Sequence, residues 1–539
     1  MYSIPLVETL TGFSARVFAL CCAVALAFVA VRRIRPDSRA LPALRLAAWC
    51  ALPTAAFAAA NLLHRLSHCT FNHPLTYPLY ANPYCPRGMG FMEALQTMAA
   101  RPGTLPWLAV AAVSGIVAAL VAALSLRTKS RRAVAAALAA LLASGFVFSI
   151  SIACIPDGFD DHPETGTRSS LVSAWTDEGS TMLLAVPHMR LGPKRYLWEY
   201  RHLQRRFEQK HIIHAISHPP LGSLVIRWIG RQAGVRVNDT HSIEETEQQI
   251  RYALGQTAVS MLNLILVFAF AAALFGRSAG VLAAALWCVA PSPATYASFA
   301  PDMNYALMFH LVLLLSWKVS DEPSLRRALV RWGAPLGAAL GVLALMTYSW
   351  CIAAAFAATF AAWDGLARRR PLRDVMARVA VPIAVFALVA GFLIVHYRID
   401  YLENYLYSSR FVSGFYPHAR LLDKIVALIG GQIEWLFLAG PAACTCFFLS
   451  LREMRRDPDD FRHVRFAAAF FAIYALPILL GPACLKHEVA RCWIWILPIP
   501  LAFAARFLVR RGSPTECAAV VGFSAVVSAL LAAFVFFGA

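Results

Sequence analysis

Again and again in this chain, an apolar run of bilayer length ends in a short link rich in arginine. A helix rises ~1.5 Å per residue, so about 20 apolar residues cross the hydrocarbon core. Lipid offers no partner to an open backbone, and only helices or closed barrels satisfy that constraint. The runs are unbroken rather than alternating, which favours helices. They fall at about 13–31, 43–63, 106–124, 133–154, 257–275, 279–299, 303–318, 333–347, 350–366, 376–396, 425–450, 465–483, 492–509 and 516–537. The expectation is an all-α polytopic membrane protein with about 13–14 transmembrane helices. The two short runs within 333–366 are candidates for tilted, broken or re-entrant segments.

Composition agrees, since 59% of the 539 residues are hydrophobic and 15% charged, against roughly 25% charged in a soluble domain. The formal charge of +19 would suggest nucleic acid in a soluble protein. Here the cations sit between apolar runs with no basic stripe or aromatic platform, so topology and lipid headgroups explain them better. Arg32, Arg33, Arg35 and Arg39 form one such link; Arg127, Lys129, Arg131 and Arg132 form the next alternate one. Lys318, Arg326, Arg327 and Arg331 continue the series, followed by Arg368, Arg369, Arg370 and Arg373. Arg452, Arg455, Arg456 and Arg462, then Arg506, Arg510 and Arg511, complete it. Counting crossings puts every cluster on one face, which the positive-inside rule makes cytoplasmic, with both termini outside. The first run leads into arginines rather than a small-residue cleavage site, so it reads as a retained anchor.

The opposite face holds a loop near 64–105, a long segment near 155–256, and shorter loops near 300, 397–423 and 484–491. Within 155–256, Trp175, Leu183, Leu184, Trp198, Tyr200, Leu224, Val225, Ile226, Trp228 and Ile229 keep the pattern amphipathic. It is read as helices along the membrane surface, with apolar faces to lipid, or else as a small soluble cap. Most of the thirteen cysteines lie in apolar runs, where Cys acts as a small hydrophobe. Cys69 and Cys85 share the first outer loop and form a candidate disulfide. Cys484 and Cys492 flank a charged motif, and spacing does not say whether they pair. Asn238-Asp239-Thr240 is a glycosylation sequon on the outer side, relevant in a eukaryotic host only, whereas the Ala/Arg-rich composition leans bacterial.

Ionisable groups at the ends of apolar runs are costly to hold there, and their shared face suggests one shared site. Asp157, Asp160, Asp161 and His162 follow a span directly, with Asp177-Glu178 further along. They read as a solvated acidic loop or as the base that deprotonates an acceptor hydroxyl. In His218-Pro219-Pro220-Leu221 the prolines fix a rigid extended turn, either to break a helix or to hold the imidazole. Pro301-Asp302-Met303-Asn304 occupies a short outer link, where Asp302 either caps the following helix or binds substrate hydroxyls. In Lys486-His487-Glu488-Val489-Ala490-Arg491, Glu488 and Arg491 are three apart and pair on a helix, or the cations receive a phosphate. His211 and His214 lie just before the proline turn without matching a standard metal-ligand spacing. Tyr397, Tyr401, Tyr405, Tyr407, Phe411, Phe415 and Tyr416 read as interface anchors, with an acceptor path as the sharper alternative.

Taken in order, this arrangement resembles the GT-C superfamily of integral-membrane glycosyltransferases. It is most similar to the branch of dolichyl-phosphate-mannose–protein mannosyltransferases and bacterial aminoarabinose transferases. Tyr196–Tyr200, His214–Leu221 and Glu488–Pro498 carry the likeness, over roughly residues 130–510. It implies 1–130 as accessory N-terminal helices, 131–510 as the catalytic core with its outer loop 155–256, and 511–539 as a C-terminal helix. It further implies a polyprenyl-phosphate-linked sugar donor, inverting transfer and an active site on the outer face, in a bacterial inner membrane. The acceptor would be an envelope glycan, lipid or protein. By position the base is one of Asp157, Asp160 and Asp161, while Asp177-Glu178 matches the family's Asp-Glu pair by type but lies further from the span. Asp177, Glu178, His218, Asp302, Lys486, His487, Glu488 and Arg491 would bind substrate. No metal ligand set is assigned, and a divalent metal stays open as a cofactor. The competing class is a transporter or flippase of lipid-linked sugar, but internal repeats and mid-span charges are not evident. A polysaccharide polymerase or ligase would carry its large outer loop late, whereas this chain carries it early.

Overall fold

A computed structural model describes residues 19–20, 22–31, 33, 44–56, 80–81, 104–126, 130–155, 192–209, 215–216, 218–235, 246–298, 300–415, 435–456, 460–480 and 494–536. The described chain is helical nearly throughout, and each apolar run of the sequence is helical over most of its described length. The exception is a two-residue antiparallel pairing of Tyr80–Ala81 with Val535–Phe536.

After the apolar helix Cys22–Val31 and a helical stretch at 44–56, the bundle begins with α1 (Thr104–Ser125) and α2 (Arg131–Cys154). The amphipathic outer segment supplies α3 (Pro193–Gln209) and α4 (Pro220–Gln232). Then come α5 (Thr246–Ser260), α6 (Leu262–Phe275), α7 (Arg277–Val289), α8 (Pro291–Tyr296) and α9 (Asp302–Asp321). A π-helical turn Ala328–Gly333 leads into α10 (Ala334–Ala344), followed by α11 (Trp350–Ala367), α12 (Leu372–Tyr397) and α13 (Tyr401–Phe415). The chain closes with α14 (Pro441–Met454), α15 (Phe461–Leu480), α16 (Pro498–Arg511) and α17 (Pro514–Phe534). Six described helical stretches are long and apolar enough to cross a membrane: 104–125, 131–154, 250–275, 350–367, 372–397 and 514–532. This is an all-α polytopic membrane protein.

The outward faces show why these helices need lipid. On α12, Leu388 and Val395 are 71% and 76% exposed, with Leu372, Met376, Ile383 and Phe392 also open. Val113, Ile116, Leu120 and Leu124 do the same on α1. Apolar surface of that extent calls for hydrocarbon rather than water. Inward, α7 and α16 are buried along nearly their whole length and form the centre of the bundle. Helix α10 approaches α12 through Gly337 and Gly341, four apart on one face. A Cβ at Gly337 would come within 2.7 Å of Val385, and one at Gly341 within 2.9 Å of Val389. Small residues at this spacing let two helices close to backbone distance.

The helix ends alternate as the arginine count requires. Arg45 pairs with Glu516, Arg462 with Asp321 and Asp364, Arg506 with Asp460, and Arg511 with Glu453. Those pairs tie the links near 45, 321, 368, 455 and 512 together at one end, the basic end. At the other end the turn after α10 meets α4, and the start of α11 meets α13. The outer segment departs from the sequence expectation in one respect. The apolar face of α3 (Tyr196, Leu197, Tyr200, Leu203 and Phe207) is buried against protein rather than laid on lipid, and Trp198 is the large apolar residue it leaves open.

Candidate functional site

The site is built around the first turns of α9. Pro301 is the N-cap of that helix and makes no side-chain cap bond, so Asp302 occupies the first helical position. A carboxylate there lies at the positive end of the helix dipole. One turn on, Tyr305 is buried, and its ring lies 5.0 Å from the His218 imidazole at an interplanar angle of 35°. Another turn on, Phe309 stacks on Trp495 at 4.1 Å and 20°. Asp302, Tyr305 and Phe309 recur at helical spacing, so one stripe of α9 runs from the carboxylate past the histidine to the tryptophan. Trp495 comes four residues after Arg491, within the short 3-10 turn Ile494–Ile496 that leads into α16.

The proline turn does what its composition dictates. Pro219 takes φ −63° and ψ 159° as the N-cap of α4, and Pro220 sits at the first turn, where a missing N–H costs nothing. The backbone N–H of Leu221 donates to the Leu345 carbonyl at 3.0 Å, docking α4 on the turn after α10. Gly222 lies directly under the Tyr305 phenol, since a Cβ there would stand 2.8 Å from the hydroxyl oxygen. The Tyr200 hydroxyl on α3 lies 2.6 Å from the His218 carbonyl and also bonds the Ala215 carbonyl. Backbone on both sides of His218 is thus fixed, and the imidazole is held half-buried over Tyr305.

A roof closes over this turn. On α13, Ser408 donates to the Ile216 carbonyl at 2.5 Å, and the Gln204 amide donates to Ser408 at 3.3 Å. Tyr401 accepts from the Trp350 indole at 2.9 Å and donates to the Ala344 carbonyl at 2.8 Å. Arg201 of α3 pairs with Glu403, and Tyr407 with Glu208. The tyrosines of the 397–416 segment are therefore partly structural. Tyr401 is turned into the protein, while Tyr405 remains 44% exposed. Burial pushes the Tyr200 phenol up, helped by the neighbouring Tyr196, Tyr348 and Tyr305. The Tyr348 phenol is pushed up to about 12, again mainly by burial. Both are neutral at physiological pH, and the Tyr200 phenol acts as a hydrogen-bond donor rather than a base.

A polar ladder below fixes the start of α9. Gln256 and Asn304 exchange amide bonds at 3.2 Å, and Gln256 also reaches the Ala300 carbonyl at 3.4 Å. Ser260 donates to the Ala297 carbonyl at 2.8 Å, and Asn263 to the Met303 carbonyl at 3.0 Å. Gln256, Ser260 and Asn263 lie at i, i+4 and i+7 along α5 and α6, one polar stripe in an otherwise apolar run. The sequence reading passed over that stripe, and the period was its only signal. Tyr305 was missed too, although it lies three residues from Asp302 and therefore on the same face.

Of the predicted site residues, His218 lies against Tyr305, one turn along α9 from Asp302. Asp157, Asp160, Asp161, Asp177, Glu178, Lys486, His487, Glu488 and Arg491 lie outside the described residues, as do His211, His214, Cys69, Cys85, Cys484 and Cys492. Among the described residues, no group of three His, Cys, Asp or Glu side chains is arranged to hold a metal ion.

Comparison with known proteins finds no matching family model, and no curated protein matches the chain.

Proposed function

We propose that this protein is a membrane-embedded glycosyltransferase that moves a sugar from a polyprenyl-phosphate donor to an envelope acceptor, with inversion, at the non-basic end of the bundle. The observation that carries the reading is the common stripe of α9. It joins Asp302, His218 through Tyr305, and Trp495, which comes four residues after the Lys486–Arg491 segment. A carboxylate and an imidazole beside one helix, with a pair of cations in the segment that precedes Trp495 in sequence, would suit a sugar leaving a phosphate. Arg491 would take the phosphate bidentately, and Asp302 would hold sugar hydroxyls. His218, fixed at its backbone, would donate to or accept from the transferred group. The neutral Tyr200 phenol would hold its backbone in place without competing for the proton. One of Asp157, Asp160 and Asp161 would act as the base that deprotonates the acceptor. In that bacterial setting the protein would lie in the inner membrane, with the site open to the periplasm.

The test is transfer by the purified full chain in detergent, with a panel of polyprenyl-phosphate sugars and a crude envelope extract as acceptor. Release of free polyprenyl phosphate with sugar incorporated into the extract is expected for one donor. No release from any donor, together with saturable movement of a lipid-linked sugar in liposomes, would replace the enzyme with a transporter.

A further inference from the structure

At the basic end, far along α9 from the site above, the C-terminal turn of the helix is wrapped in arginine. Asp364, buried completely on α11, is shared by Arg462 at 3.1 Å, Arg368 at 3.4 Å and Arg465 at 3.5 Å. Arg462 also reaches Asp321 at 2.7 Å and lies over the Trp317 ring at 3.9 Å. Among the described residues, Arg370 and Arg378 have no carboxylate within ion-pair distance. Arg370 donates to the Ser320 carbonyl at 2.8 Å, and Arg378 to the carbonyls of Val319 and Glu322. These are carbonyls that the helix end leaves free of intrahelical bonds, which cations favour. The next carboxylates, Glu322 and Asp374, are engaged by Arg327 and Arg373. The positive charge is therefore in surplus. Burial, with Arg378 and Arg368 nearby, pushes the Arg370 guanidinium down to about 10.

The second observation is unsatisfied donors. Nη1 of Arg370, Nε of Arg378, Nη2 of Arg462 and Nε of Arg465 are all buried, with no hydrogen-bond partner among the described residues. Buried guanidinium nitrogens are rarely left so, and several in one cluster point to an anionic acceptor. The third is the apolar surface beside them. Leu366, Leu372 and Met376 are 58%, 66% and 58% exposed at this same end of α11 and α12. A ligand fitting both features has a phosphate to meet the arginines and an acyl chain to lie along α12.

We propose that the arginine cluster around Asp364 binds the phosphodiester headgroup of an anionic phospholipid from the surrounding bilayer, with its acyl chain on Leu372 and Met376. The inference stands apart from the glycosyltransferase reading, because the cluster lies at the opposite end of α9. Bound there, the lipid would supply the negative charge that the five converging guanidinium groups lack. It would also fasten α12 to α15.

The experiment uses the full chain in a neutral detergent, titrated with phosphatidylglycerol or with phosphatidylcholine of the same acyl chains. Lipid retention is read by native mass spectrometry and stability by the thermal midpoint. Phosphatidylglycerol should be retained about fivefold or more over phosphatidylcholine and should raise the midpoint. Arg370→Gln should lower that preference about fivefold, while Arg370→Lys keeps most of it. Equal retention of the two lipids by the wild-type chain overturns the proposal whatever the variants do. Displacement of phosphatidylglycerol by inorganic phosphate, with the midpoint kept, would also overturn it by assigning the cluster to a soluble anion.

Discussion

Asp302 shows how little a single residue says before its neighbours are placed. In sequence it reads as a helix cap, with a ligand for substrate hydroxyls as the sharper alternative. The structure makes Pro301 the cap residue and puts Asp302 on the stripe that carries Tyr305. If the carboxylate binds sugar hydroxyls, Asp302→Asn removes a charge-assisted hydrogen bond worth about 1.5–3 kcal/mol. Steady-state assays should then show kcat/KM for the preferred donor falling about 10- to 100-fold with thermal stability unchanged. An unchanged kcat/KM would leave Asp302 a structural residue. The ladder beneath it behaves in the opposite way. Asn304→Leu leaves the buried Gln256 amide short of its partner, which costs about 1–3 kcal/mol. Denaturation in detergent should show that loss directly, and full stability would mean the amide pair contributes nothing.

At the scale of the element, the proline turn and the two glycines of α10 were both written in the sequence, but only one was read. His218-Pro219-Pro220 announces a rigid corner because two prolines leave few alternatives. Gly337 and Gly341 were hidden because an apolar run tolerates glycine for many reasons, and only the position of α12 shows that Val385 and Val389 need the space. Gly337→Val should overpack that contact and lower stability by about 1–3 kcal/mol. Gly391→Ala on α12, where a Cβ meets nothing within 4 Å, is the matched control and should cost nothing. Equal midpoints for the two variants would show that α10 and α12 do not depend on their close approach. Helix α3 was legible as amphipathic, yet its partner was not. Period alone cannot distinguish an apolar face that meets lipid from one that meets α13.

Over the whole molecule, arginine placement carried most of the architecture. Among the described residues, the links near 45, 321, 364, 455 and 512 meet through ion pairs, as short basic links between spanning runs lead one to expect. The same arginines concealed a second role. Arg368, Arg462 and Arg465 look like topology signals in sequence, and their convergence on one buried carboxylate, Asp364, depends on packing among α9, α11 and α15. Asp364→Asn leaves those cations without their shared partner and should destabilise the bundle by about 3–5 kcal/mol. The site at the other end was legible in part. His218 lies against Tyr305, one turn along α9 from Asp302, while the acidic residues and the Lys486–Arg491 segment remain tied to that region by sequence alone. The most direct measurement of a single shared site compares polyprenyl phosphate release by the wild-type chain, Asp302→Ala and Arg491→Ala, all purified from the membrane in equal yield. The account predicts that both variants insert normally and lose transfer by about 100-fold or more. Wild-type release from both would contradict it.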